Sequence, residues 1–86
     1  MTCEVVVLYF AKSSELTGVR SENINVPQEI TSQNLWEEIV HSHPRLSAIK
    51  DQVVLAVRQE YVAIGNELLN LRPGDEIAVI PPISGG

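Results

Sequence analysis

One cysteine, one tryptophan, one phenylalanine, one methionine and six basic residues are what this sequence of 86 residues has little of, and the scarcities exclude whole classes of function. Cys3 alone cannot close an intrachain disulfide or complete a Cys-x-x-Cys site. Disulfide-scaffold, zinc and iron–sulfur readings drop out, and a reducing cytosolic (cytoplasmic) setting is expected. Lys12, Arg20, Arg45, Lys50, Arg58 and Arg72 are scattered and outnumbered by 11 acidic residues, for a formal net charge of −5. A surface of that sign repels phosphate backbones, so no nucleic acid is expected as a partner. The longest unbroken apolar run, Val5-Val6-Val7-Leu8-Tyr9-Phe10-Ala11, falls far short of the ~20 residues that cross a bilayer, and no leader pattern opens the chain. No membrane association is expected. With no repeat, low-complexity tract or linker to divide it, the chain reads as one small domain.

What is present reads as short strands around one helix. Residues 3–10 are β-branched and aromatic with almost no polar interruption, which predicts a strand covered on both faces and central in a sheet. Residues 12–17 fit a single helical turn after Ala11, with Gly18 free to take the left-handed conformation that ends it. Residues 21–26 alternate, with Glu22, Ile24 and Val26 on one side and Asn23 and Asn25 on the other. That predicts a half-covered strand closed by Pro27, although the polar Glu22 weakens the pattern. Thr31 is placed to cap a helix, with Ile30 and Leu35 as a hydrophobic staple. Leu35, Trp36, Ile39 and Val40 then form one apolar stripe, Glu37, Glu38 and His41 face away, and Pro44 stops the helix near His43.

After a linking stretch containing Leu46 and Ile49, residues 53–57 form an apolar strand, Gln59-Glu60 a tight turn, and residues 61–64 the return strand of a hairpin. Leu68, Leu69 and Leu71 make an irregular apolar crossing. Arg72-Pro73-Gly74-Asp75 fits a type II turn, Pro fixing the first central φ and Gly supplying the positive second one, and residues 76–80 are the last strand. The order β, β, α, β, β, β, with the two most apolar strands side by side at the centre, is an α+β domain of β-grasp type. It spans residues 1–80, followed by an extended tail over residues 81–86.

The interior offers little chemistry: no carboxylate pair beside a nucleophile, no glycine-rich phosphate loop and no metal cluster, so no permanently bound cofactor or metal is expected. The informative part is the end, Pro81-Pro82-Ile83-Ser84-Gly85-Gly86. Two prolines lack amide donors and favour extended backbone, which ends the ladder and projects the last residues away from the domain, and such a tail reaches about 20 Å. Gly85 and Gly86 carry no side chains to obstruct a narrow channel, and the last group is an α-carboxylate. A carboxylate is a poor electrophile until a partner converts it to an acyl adenylate with ATP; an amine, thiol or sulfide can then attack it. The residues alone leave two readings open: a domain that is a handle for its own C-terminus, or an interaction domain with a permissive terminus.

The stretch from Arg72 through Ile80 to the Pro-Pro-Ile-Ser-Gly-Gly end, with the opening Val7-Leu8-Tyr9-Phe10-Ala11 and Glu15-Leu16-Thr17-Gly18, resembles the small, sulfur-carrier subunits of molybdopterin synthase. The resemblance covers essentially the whole chain and implies a ubiquitin-like β-grasp fold. It also implies that an E1-like adenylyltransferase activates Gly86 with ATP and a sulfurtransferase domain converts it to a thiocarboxylate. The loaded tail would then give sulfur to cyclic pyranopterin monophosphate in a pocket of the large synthase subunit, within a heterotetramer of two subunits of each kind. Carried over, Gly86 bears the sulfur, Gly85 permits insertion, and Pro81, Pro82, Ile83 and Ser84 line the docking tail, while the carrier itself has no catalytic side chain. Carriers for thiamine synthesis or tRNA thiolation and ubiquitin-like protein modifiers share the activation step and part at the acceptor.

Other singular residues have plain readings. Cys3 is expected in the core rather than as a sulfur donor, His41 and His43 solvated at the helix end, and Trp36 partly buried. Phe10, Tyr61, Leu68 and Leu69 are either core or an exposed apolar patch for a partner.

Overall fold

Side-chain alternation along the first strand decides where everything else packs. The computed structural model describes residues 1–81. In chain order they form β1 (Thr2–Tyr9), α1 (Lys12–Thr17), β2 (Ser21–Pro27), β3 (Glu29–Thr31), α2 (Ser32–Ser42), a 3-10 segment (Pro44–Gln52), β4 (Val54–Val57), β5 (Glu60–Val62), β6 (Leu68–Asn70) and β7 (Glu76–Ile80). In β1, Cys3, Val5, Val7 and Tyr9 are buried, Thr2 and Glu4 are exposed, and Val6 and Leu8 are half-buried. This corrects the expectation of a strand covered on both faces. The helical layer lies on one side of the sheet only, and a period of two then sends every second side chain to the open side.

The five-stranded sheet has the order β2-β1-β7-β4-β5, so the first and last strands are neighbours near its centre, as the sequence indicated. They run parallel, with Val6 opposite Glu76 and Tyr9 opposite Val79. On the covered face β1 contributes to a core shared with Ile77, Val79, Leu55, Val57 and the α2 stripe. Leu35, Trp36 and Ile39 are all within 1% of complete burial, so Trp36 is a central core residue rather than a partly covered one. Thr31 caps α2 by accepting the Asn34 amide at 3.1 Å, and Ile30 and Leu35 are both in the core, as the staple requires. The linking stretch buries Leu46 and Ile49 through a 3-10 segment that begins at Pro44.

Two elements differ from expectation. The leucine crossing contains β6, which pairs with β3 through Ile30 opposite Leu69 to make a second, two-stranded sheet. Three-residue strands are too short to show a period of two, so neither was legible. The hairpin turn is Arg58-Gln59, one residue earlier than expected, because Val57 pairs with Glu60. Both central residues have positive φ, 50° and 70°, the type I′ geometry in which Gly or Asn is usual. Relieving the left-handed strain at Gln59 outweighs the extra unfolded-state entropy of glycine, for a net gain of about 0.5–1 kcal/mol. Gln59→Gly should therefore raise the melting temperature by about 4 °C in a scanning calorimeter.

The turn before β7 is as expected. Gly74 has φ +86°, and the Asp75 amide donates to the Arg72 carbonyl at 3.0 Å. Asp75 accepts the Arg72 amide and pairs with the Arg58 guanidinium, which ties the two turns together.

Candidate functional site

The tail continues from β7, so the surroundings of that strand are the candidate site. β7 lies between β1 and β4, with Val79 opposite both Tyr9 and Leu55 and Ile80 opposite Val54. Pro81 comes next, outside the strand, and is buried. Pro82, Ile83, Ser84, Gly85 and Gly86 lie outside the described residues.

On the open face of the sheet, register places Leu8, Ala78, Ala56 and Tyr61 in one row across four strands. Directly opposite residues share a face, so this row is a continuous apolar band. Ile80 and Val54, two residues along, widen it toward the end where the tail begins. Tyr61 is 77% exposed and Val54 38%, while Phe10, just past β1, is 49% exposed. Leu68 is exposed too but belongs to β6, in the smaller sheet, whereas Leu69 is core. Of the four residues left open by the sequence, Tyr61 thus lies in this row, and Phe10 lines a surface depression together with Leu8. The acids of this face, Glu4 and Glu76, lie toward the other end.

Beneath the same strand end is a polar cluster that the sequence did not indicate. Glu22 faces inward and accepts from both the Tyr9 hydroxyl and the His43 ring. The His43 and Tyr9 rings meet edge to face with centroids 5.5 Å apart. This corrects the solvated reading of His43: the helix ends at Ser42 and the turn toward Pro44 carries the imidazole onto β1 and β2. His41 is exposed, as expected. The same geometry explains why Glu22 interrupts an otherwise apolar face.

Burial pushes the Tyr9 phenol far above its ordinary range, and the hydrogen bond to Glu22 and that carboxylate's charge add to the effect. A phenol raised in the folded state contributes stability that is present below about pH 10 and lost as pH rises, because only the unfolded chain can ionise there. We expect the urea midpoint to fall above about pH 10 with a slope equivalent to about 1.4 kcal/mol per pH unit, and Tyr9→Phe to lose that component of the slope.

Cys3 is buried, as a core residue should be. Among the described residues no group of three or more His, Cys, Asp or Glu side chains is arranged to hold a metal ion, and no helix is long and apolar enough to cross a membrane.

Comparison with known proteins agrees with this geometry. Residues 7–86 match the ThiS family. Over 84 residues, 98% of this chain and 96% of the other, the sequence is 66% identical to the molybdopterin synthase sulfur carrier subunit of Homo sapiens. The protein of the same name from Chlamydomonas reinhardtii is 39% identical over 83 residues, 96% of this chain and 99% of that one. The crystal structure of SAMP1 from Haloferax volcanii has a TM-score of 0.79 at 27% identity, covering 96% of this chain and 99% of its own. The fold is the ubiquitin-like β-grasp inferred from the sequence, and by sequence over nearly its whole length the chain belongs to the ThiS family.

Proposed function

We propose that this chain is the sulfur carrier subunit of molybdopterin synthase and that its working group is the carboxylate of Gly86. The observation that carries the reading is the end-to-end 66% identity to a carrier subunit of that name, in a chain that ends in Gly-Gly. In the proposed cycle the Gly86 carboxylate attacks the α-phosphate of ATP on an E1-like enzyme, releasing pyrophosphate. A sulfurtransferase persulfide then attacks the acyl carbon of the adenylate and AMP leaves; a second thiol reduces the S–S bond of the resulting acyl disulfide, forming a disulfide with the sulfurtransferase and releasing the thiocarboxylate. The thiocarboxylate sulfur bonds to a carbon of cyclic pyranopterin monophosphate, and water then cleaves the acyl C–S bond, so the sulfur stays on the pterin and the tail returns as a carboxylate.

A thiocarboxylate is a better nucleophile than a carboxylate at neutral pH, yet it hydrolyses in open water, so transfer inside a closed pocket of the large subunit suits it. The apolar band around Ala78 is the docking face in this reading, with Ile80 and Val54 toward the tail. Its apolar centre, and the absence of any Lys or Arg after Arg72 in the sequence, fit an apolar partner groove with basic surroundings. Two carriers at opposite ends of a large-subunit dimer, in the cytosol, complete the proposal.

The test is intact-mass analysis after incubation with the activating enzyme, ATP and a sulfur source. One oxygen of Gly86 should be replaced by sulfur, and addition of large subunit and cyclic pyranopterin monophosphate should yield molybdopterin. Loading at another residue, no loading, or isopeptide joining to lysines in place of molybdopterin formation overturns the reading.

A further inference from the structure

The hydroxyl of Ser13 occupies the last rung of the ladder between β1 and β7, and we infer that Ser13 is a positioning residue for sulfur transfer, setting where the tail parts from the sheet. The inference rests on the carrier reading above.

Its basis is the parallel register. The Val6 amide donates to the Asp75 carbonyl at 2.9 Å. Bonds of a parallel pair recur every second residue on each strand, so the same pattern would set the Phe10 amide against the Val79 carbonyl two rungs later. That bond is replaced. The Phe10 amide donates instead to Ser13 Oγ at 2.9 Å, and Ser13 Oγ lies 3.2 Å from the Val79 carbonyl as donor. The hydroxyl is thus a wedge one atom thick between the two strands, immediately before Ile80 and Pro81.

Two further features hold the wedge in place. Ser13 is completely buried and is the one buried residue of α1, and its hydroxyl also lies 2.7 Å from the Phe10 carbonyl, an alternative acceptor for its single proton. The chain reaches it through a tight turn in which the Ser13 amide donates to the Phe10 carbonyl at 3.1 Å. Ala11 occupies the first central position with φ 51° and ψ −126°, the type II′ geometry that normally takes glycine. Such backbone persists only where its surroundings over-determine it. Here they are the Ser13 contacts, which connect the turn to a strand 66 residues away.

Without the hydroxyl, the Phe10 amide and the Val79 carbonyl either pair directly, drawing the start of the tail toward β1, or lose a partner. Both change how Ile80 and Pro81 leave the sheet while leaving the apolar band intact. The test compares wild type and Ser13→Ala, each loaded with sulfur, for affinity to the large subunit and for single-turnover transfer to cyclic pyranopterin monophosphate. We expect Kd within twofold and transfer at least tenfold slower, with faster exchange of the Phe10 amide proton or an altered shift in its NMR signal. Should Ser13→Ala fail to fold, Ser13→Thr and Ser13→Val match each other in volume and differ in the hydroxyl, and Thr should transfer at least fivefold faster than Val. Equal transfer rates with wild-type loading and turnover overturn the positioning role and leave the carrier reading standing. Failure of wild type itself to accept or deliver sulfur overturns both.

Discussion

Deleting Gly85 and Gly86, or adding one alanine after Gly86, should reduce molybdopterin formation below detection while shifting the melting temperature by less than about 2 °C. The asymmetry follows from where the two properties reside. Among the described residues the buried cluster runs from Cys3 to Val79, and the two glycines deleted or extended here have no side chain to bury. Function in the carrier reading has the opposite dependence. An added residue turns the Gly86 carboxylate into a peptide amide, which cannot attack ATP, and deletion moves the new carboxylate back by roughly 7 Å, two residues of extended chain. Reaction rates fall steeply when reacting atoms are misplaced by as little as 1 Å. The measurement is molybdopterin yield with purified activating enzyme, sulfur source and large subunit, beside calorimetry on the same preparations. Activity retained in the deletion variant would show that the working group lies elsewhere; a matching fall in melting temperature and yield would show that the end of the chain is structural.

How far the sequence foretold this arrangement depended on the length of each signal. The α2 stripe, the Thr31 cap and the turn at Gly74 were legible because each combines a period or a dedicated residue type with a local hydrogen bond. The central pairing of β1 with β7 followed from their being the two most apolar strands. Three things were not legible. β3 and β6 are three residues each, below the length at which alternation can be told from chance. The Arg58-Gln59 turn lacks the glycine or asparagine that marks its type, because the Arg58 pairing with Asp75 helps to hold it. Ser13 and His43 act through contacts with residues distant in sequence, Val79 and Glu22. The Gly-Gly end and the patch residues Phe10 and Tyr61 were visible as candidates, but only strand register places Tyr61 on the open face shared with the strand that leads to the tail.

Placing a charge at the centre of that face should uncouple docking from folding. Ala78 sits between Leu8 and Ala56 in the apolar row and is half-buried, so a short side chain there fits the free protein. Ala78→Asp costs about 1 kcal/mol in strand preference, equivalent to a melting point lower by about 4–8 °C in a domain of this size. That leaves the chain folded at room temperature. Against a partner groove the cost is larger, because the carboxylate is stripped of water with apolar side chains on both flanks. Arginine would be a weaker test, since its long stem lets the charge reach the rim, whereas aspartate cannot escape. A penalty of about 3 kcal/mol predicts affinity for the large subunit at least ~100-fold weaker by titration calorimetry. Glu38→Arg, an exposed change on α2 away from the sheet face, serves as the control and should bind within about twofold of wild type. Unchanged affinity in Ala78→Asp would remove the open sheet face from the interface. Weakened affinity in Glu38→Arg alone would move the docking surface to the helical side.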